Sequence, residues 1–67
     1  MAVARVTEVI ASSPKGWEAA VEEAMKRASS TLRNITGIEV KRMQAKVEDG
    51  KIVEYRVTVS IIFILDE

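Results

Sequence analysis

The stretch DGKIVEYRVTVSIIFIL, residues 49–65, decides which folds this chain can adopt. It begins with Asp-Gly between two strand-like runs, which is the usual signal for a tight β-hairpin. The run after the turn alternates apolar and polar side chains from about Ile52 to Ser60, as a half-buried strand does. From Ile61 to Leu65 every side chain is apolar, so both faces of the strand are apolar there. The stretch therefore predicts a hairpin whose second strand buries one face throughout and both faces at its end.

The two faces of this predicted strand, about Ile52 to Leu65, need different partners. The face expected to pack on a helix carries Val53, Tyr55, Val57, Val59, Ile61, Phe63 and Leu65. The opposite face carries Glu54, Arg56, Thr58, Ser60, Ile62 and Ile64. A small sheet places a single helix on only one face, so Ile62 and Ile64 need another cover. We predict that both form a subunit contact, where burying each side chain contributes about 1.5–3 kcal/mol.

The residues before the hairpin predict a strand followed by a helix. Ala2–Ile10 is rich in β-branched residues and roughly alternates, which indicates a first strand. Ser13 suits a helix N-cap and Pro14 suits the first helical position. The spacing that follows predicts an amphipathic helix of about 16–20 residues. Its apolar positions are Trp17, Ala20, Val21, Ala24, Met25, Ala28, Leu32 and Ile35.

The stretch GIEVKRMQAKV, residues 37–47, predicts the second strand. Its apolar residues change face partway, and a β-bulge near Lys41 or Arg42 would restore one inner face and bend the strand. The apolar residues are Ile38 and Val40 before the change and Met43, Ala45 and Val47 after it. The predicted fold class is α+β, with β-α-β-β order and a three-stranded antiparallel sheet wrapped partly around one amphipathic helix. Residues 1–67 form a single domain.

Composition excludes several classes of function. The chain has 67 residues, with neither Cys nor His, which removes disulfides, thiolate nucleophiles and the zinc, haem and iron–sulfur sites that need those ligands. No nucleophile–base pairing is recognisable, so we expect no enzyme. Ten basic and ten acidic residues give zero net charge, which argues against nucleic-acid and membrane partners. Without a signal-peptide core or a long apolar run, we expect a cytoplasmic protein.

Chain length points to assembly. A domain of this size buries only roughly 60% of the surface that its unfolded chain exposes, which leaves little margin against conformational entropy. Disulfides, structural metals and oligomerisation are the usual additions. Without Cys the chain has no disulfides, and without Cys and His it lacks the common ligands of structural metals. We therefore expect copies of the chain to associate.

Three segments, in this order and at these spacings, resemble the dodecin family: SSPKGWEAAVEEA, RNITGIEV and DGKIVEYRVTVSIIFIL. The resemblance covers nearly the whole chain. It implies a hollow homododecamer whose subunits meet through trimer and dimer contacts, in agreement with the apolar end of the last strand. It also implies a non-enzymatic protein that binds or buffers a small ligand between subunits. In typical members this ligand is a flavin, held between tryptophans of symmetry-related subunits.

The same resemblance implies a ligand site at Gly37, Gln44 and Arg56. Gly37 stands where typical members have the flavin-stacking tryptophan, and Arg56 replaces a glutamine that contacts the flavin ring. Gln44 occupies a position that is often polar or basic near the ligand. The only tryptophan, Trp17, lies on the apolar helix face and is interpreted as core or subunit packing. Two lost stacking contacts of about 1–3 kcal/mol each remove roughly two to four decades of affinity, so we expect weak binding of riboflavin or FMN.

Three alternatives stay open at this point. Dodecins without the stacking tryptophan resemble a calcium-binding branch, although the ligand residues are unknown. The carboxylates available for calcium include Glu8, Glu18, Glu39, Glu54, Asp66 and Glu67. Flavin could instead be sequestered by other contacts, or the assembly could be purely structural or interact with other proteins. Arg56 could also simply pair with a carboxylate such as Glu39, and Gly37 could serve a backbone need where helix meets strand.

Overall fold

The computed structural model describes residues 3–65 and has four elements. They are strand β1 (Ala4–Ser13), helix α1 (Trp17–Ser29), strand β2 (Ile35–Glu48) and strand β3 (Lys51–Ile64). The strands form one antiparallel sheet in the order β1-β3-β2. The predicted β-α-β-β fold class is therefore confirmed. The strand with the longest apolar face, β3, occupies the centre of the sheet.

Strands β2 and β3 are joined by the predicted tight turn. Glu48 pairs with Lys51 across a two-residue loop. Asp49 has φ 52° and Gly50 has φ 75°, so both loop residues are left-handed, as a type I′ turn requires. Asp tolerates this conformation and Gly adopts it without a steric penalty, which is the reason that Asp-Gly marks the hairpin.

A β-bulge at Lys41 confirms the predicted change of face in β2. Val40 pairs with Val59 and Arg42 with Thr58, so Lys41 has no partner in the ladder. The extra residue brings Met43 onto the same face as Val40. Two further register shifts lie between Ile35 and Gly37 and between Lys46 and Val47.

The helix differs from the prediction at both ends. It begins at Trp17 with Gly16 as N-cap, and it has 13 residues. Ser13 is not the N-cap, because β1 continues to Ser13, which pairs with Tyr55. The Ser13 Oγ instead accepts a hydrogen bond from the Lys15 amide at 3.1 Å. Pro14 accordingly lies before the helix and not at its first position.

Three residues with hydroxyl side chains lie at the C-terminal end of α1, which ends earlier than predicted. Those of Ser29, Ser30 and Thr31 donate to the carbonyl oxygens three residues earlier, at 3.1, 2.7 and 3.5 Å. The Ala28 carbonyl also accepts backbone hydrogen bonds from the amides of Thr31 and Leu32, at 3.1 and 2.8 Å. Helix α1 ends at Ser29, and Asn34, with φ 61°, turns the chain toward β2, so Leu32 and Ile35 lie beyond the helix, although both still pack against the core.

The core lies between α1 and the central strand. Its fully or nearly fully buried members are Ala20, Ala24 and Ala28 on the helix and Val57, Val59 and Ile61 on β3. The small alanines let the helix approach the sheet closely. Val53 and Leu65, predicted for the same face, are 40% and 41% exposed, because they lie beyond the ends of the helix-covered region.

Helix α1 contacts mainly β1 and β3 and covers β2 only slightly. Val40 and Met43 consequently remain 43% and 57% exposed on the inner face of β2. Within residues 3–65, no helix has the length and hydrophobicity needed to cross a membrane.

Candidate functional site

The candidate site lies on the outer face of the sheet, which we define as the face opposite α1. Side chains alternate along a strand, and Val57 and Val59 point toward the helix, so Arg56 and Thr58 point outward. Arg56 pairs with Gln44 on one side and with Ser12 on the other. These three polar side chains form a row across the whole sheet.

The structure brings Gln44 and Arg56 together, as two of the three predicted ligand-site residues. They line a cavity of about 350 Å³, together with Ala45 and Lys46. Lys46 was not predicted from the sequence. Its position two residues after Gln44, on the same face of the strand, is the signal that could have identified it.

Arg56 forms an ion pair with Glu54, not with Glu39 as the sequence suggested. Its Nη2 lies 3.2 Å from Oε1 of Glu54, which is two residues earlier on the same face of β3. Glu39 is paired with Ser60, four residues along β3, and its carboxylate lies 3.8 Å from the Lys41 Nζ. The Arg56 and Glu54 side chains are 49% and 35% exposed, so solvent screens this pair and its contribution to stability is small.

Gly37 lies elsewhere on the sheet. It pairs with Ile62, six residues along β3 from Arg56, which corresponds to about 20 Å. Within one chain, a single small ligand therefore cannot contact both Gly37 and Arg56. If both positions serve one ligand, the residues must come from different copies of the chain.

Gly37 is not required by its backbone conformation. It does not have a positive φ, in contrast to Gly16 and Gly50. A Cβ atom built at Gly37 would lie 3.4 Å from Cδ1 of Ile62, so the nearest obstacle is the end of a flexible side chain. The alternative that Gly37 serves a backbone need where helix meets strand is therefore wrong, because neither a positive φ nor a close backbone approach requires glycine there.

Ile62 and Ile64 belong to an apolar area that we call the outer apolar patch, formed by Ala4, Val6, Ile62 and Ile64. The register places Val6 opposite Ile62 and Ala4 opposite Ile64. Val6 is 56% exposed, and the two isoleucines are only partly buried. Helix α1 lies on the other face and cannot cover this patch. The assignment of Ile62 and Ile64 to a subunit contact stays a prediction.

Trp17 is held within its own chain. Its Nε1 donates a hydrogen bond to the Gln44 carbonyl oxygen at 3.1 Å. Its ring packs edge-to-face on Tyr55, with centroids 4.9 Å apart and an interplanar angle of 77°. It is partly buried against the core, which supports core packing over a ligand platform. This contact fixes the backbone of the strand that carries Gln44.

Residues 3–65 contain no group of three or more carboxylates close enough to hold a metal ion. Asp66 and Glu67, two of the carboxylates available for calcium, lie outside the described residues.

Fold and surface together define a class: a small α+β chain with a helix on one face of its sheet and, on the other face, a polar cavity at Arg56 and an exposed apolar patch that begins about 20 Å further along β3. The family model for dodecin matches residues 3–66, and the chain belongs to the dodecin family.

Individual relatives agree with this assignment. The dodecin of Thermus thermophilus is 34% identical over 65 residues, covering 97% of this chain and 94% of the relative. The calcium dodecin of Mycobacterium tuberculosis is 30% identical over 63 residues, covering 94% and 89%. The solved structure of dodecin from Streptomyces coelicolor has a TM-score of 0.93 at 39% identity, covering 98% of this chain and 94% of that one.

Proposed function

We propose that the protein is a non-enzymatic homododecamer that binds or buffers a small ligand at sites between subunits. The observation that carries this proposal is the large surface of the single chain. It exposes 5136 Å², whereas a compact monomer of 7.4 kDa exposes about 4,200 Å². The excess is what a chain that completes its burial through other copies should show.

The exposed apolar side chains lie where copies can cover them. Among residues 3–65, large hydrophobic side chains at least 50% exposed are Val3, Val6, Ile10, Met43, Val47 and Ile52. Val6 belongs to the outer apolar patch, and Met43 lies on the part of β2 that α1 leaves open. Within residues 3–65, the buried apolar core consists of three alanines, two valines and one isoleucine, which is small. Association would bury these side chains and add to the stability of each subunit.

The positions of the aromatic side chains support the expectation that flavin binds only weakly. The chain has one Trp, one Tyr and one Phe. Trp17 and Tyr55 pack against each other, and Phe63 packs against the core. None of these three rings lies on the outer face beside Gly37 or Arg56, so the stacking contacts of a typical flavin site are missing. The favoured ligand is therefore not a flavin held by two stacked indoles.

Calcium is the second candidate, because a relative that is 30% identical is named calcium dodecin. Such a site would need six to eight oxygen ligands. Since residues 3–65 bring no three carboxylates together, ligands would have to come from several copies, from backbone carbonyls or from Asp66 and Glu67.

Native mass spectrometry of protein purified without added cofactor tests the proposal. We expect the mass of a homododecamer that carries a retained small molecule or metal ion. A homododecamer that stays empty when supplied with flavins, calcium and phosphorylated small molecules would favour a purely structural assembly. A stable monomer at micromolar concentration would contradict the proposal.

A further inference from the structure

The outer face around Gln44 is rich in hydrogen-bond donors. Arg42 lies two residues before Gln44, and Lys46 lies two residues after it, on the same strand face. Arg56 is directly opposite Gln44, and Thr58 is opposite Arg42. We call this set the donor patch: Ser12, Arg42, Gln44, Lys46, Arg56 and Thr58.

The donor patch carries a net positive charge although the chain is neutral. Glu54 pairs with Arg56 at 3.2 Å, and Glu48 pairs with Lys46 at 3.6 Å. Within residues 3–65, no carboxylate oxygen lies within 4.0 Å of the Arg42 guanidinium. Three cations and two carboxylates leave one positive charge, located on Arg42.

Arg42 and Arg56 are placed to contact one anion. They are diagonal neighbours in the ladder, so their Cα atoms lie about 7–8 Å apart on the same face. Arg56 and Gln44 line the cavity of about 350 Å³, and Arg42, which is not part of this lining, is long enough when extended to reach over Gln44 toward Arg56. Glu54 engages only Nη2 of Arg56, so the remaining N–H groups of this guanidinium point to no acceptor within residues 3–65.

We propose that the donor patch binds a phosphate monoester group, with Arg42 and Arg56 as the charged contacts and the Gln44 amide as a neutral donor between them. A guanidinium donates two parallel hydrogen bonds to a phosphate. A phosphate has enough oxygens for two guanidinium forks and an amide at once, whereas a carboxylate has only two. This inference rests on the proposed function and names the chemical class of its ligand.

Isothermal titration calorimetry on the full chain, in a phosphate-free buffer of low ionic strength at pH 8, tests the inference with three probes. They are inorganic phosphate, FMN and riboflavin, of which the last two share a ring and differ by one phosphate. We expect inorganic phosphate to bind, and FMN to bind at least about tenfold more tightly than riboflavin, since charge-assisted hydrogen bonds are about twice as strong as neutral ones. Added salt should weaken the binding of phosphate and FMN and leave the affinity for riboflavin unchanged.

Two single variants and a matched control identify the residues. Arg42→Gln and Arg56→Gln should each weaken phosphate and FMN binding about tenfold, and the double variant should abolish the difference between FMN and riboflavin. Arg42→Lys keeps the positive charge but loses the two parallel N–H donors of the guanidinium. Its phosphate affinity should therefore lie between those of wild type and Arg42→Gln. Lys26→Gln removes a cation on the helix and should leave all three affinities unchanged.

Equal affinities for FMN and riboflavin, no binding of inorganic phosphate at millimolar concentration, or phosphate binding that survives the double variant would each overturn the inference. A homododecamer that fails to bind phosphate contradicts this inference alone. A monomer that binds phosphate through Arg42 and Arg56 contradicts the proposed assembly alone.

Discussion

Replacing Gly37 with tryptophan should restore flavin binding. The site tolerates a side chain, because Gly37 does not have a positive φ and a new Cβ would first meet Cδ1 of Ile62 at 3.4 Å. That atom ends a flexible side chain, so a shift of a few tenths of an ångström removes the contact. A ring at this position would extend from the outer face, beside the outer apolar patch.

The expected gain follows from the number of stacking contacts. If two copies each contribute one indole to a bound flavin, two contacts of about 1–3 kcal/mol are added. This corresponds to roughly two to four decades in Kd. Adding Arg56→Gln should tighten riboflavin binding further, since it replaces a cation held by Glu54 with a neutral amide donor. The same substitution should weaken the phosphate contact of FMN, so the two probes should respond in opposite directions.

Riboflavin fluorescence quenching at micromolar protein measures this prediction. Wild-type protein should quench weakly or not at all, and Gly37→Trp should quench strongly. Gly37→Ala adds the Cβ without the ring and should behave as wild type. Tight, stoichiometric quenching by wild-type protein would refute the reasoning, and so would a Gly37→Trp variant that assembles normally but does not quench.

Three further predictions concern assembly, calcium and the Trp17 contact. Ile62→Asp or Ile64→Asp should dissociate the assembly in sedimentation experiments, because each places an unpaired charge in a predicted contact, whereas Ile62→Leu should not. If calcium stabilises the folded assembly, a chelator should lower its Tm by mass action, and an unchanged Tm across a wide calcium titration would remove this alternative. Trp17→Phe keeps a ring beside Tyr55 but removes the donor to the Gln44 carbonyl oxygen, and should cost about 1 kcal/mol in denaturant unfolding. Gln44→Ala keeps that carbonyl and should leave this bond intact.

The elements that the sequence predicted correctly depend on local patterns. Asp49 and Gly50 specify a left-handed turn by themselves, and the alternation on either side specifies the two strands that it joins. The bulge at Lys41 could be predicted because the apolar residues change face within one strand, and a single extra residue returns them to one face. The helix ends were predicted less well, because pairing of β1 with β3 keeps Ser13 in the strand.

The candidate site could be predicted only in part. The resemblance to dodecins predicts Gln44 and Arg56 as ligand-site residues, and alternation along the strands places their side chains on one face. The order β1-β3-β2 then decides that they lie opposite each other and that Gly37 lies about 20 Å away. The sequence alone therefore determined the β-α-β-β order, the hairpin and the apolar face of β3, since these follow from the periodicity of neighbouring residues. Only the tertiary structure decided that Arg56 pairs with Glu54, that Trp17 donates to Gln44 and that α1 leaves β2 open, because these contacts depend on how distant segments pack and on which side chains reach each other.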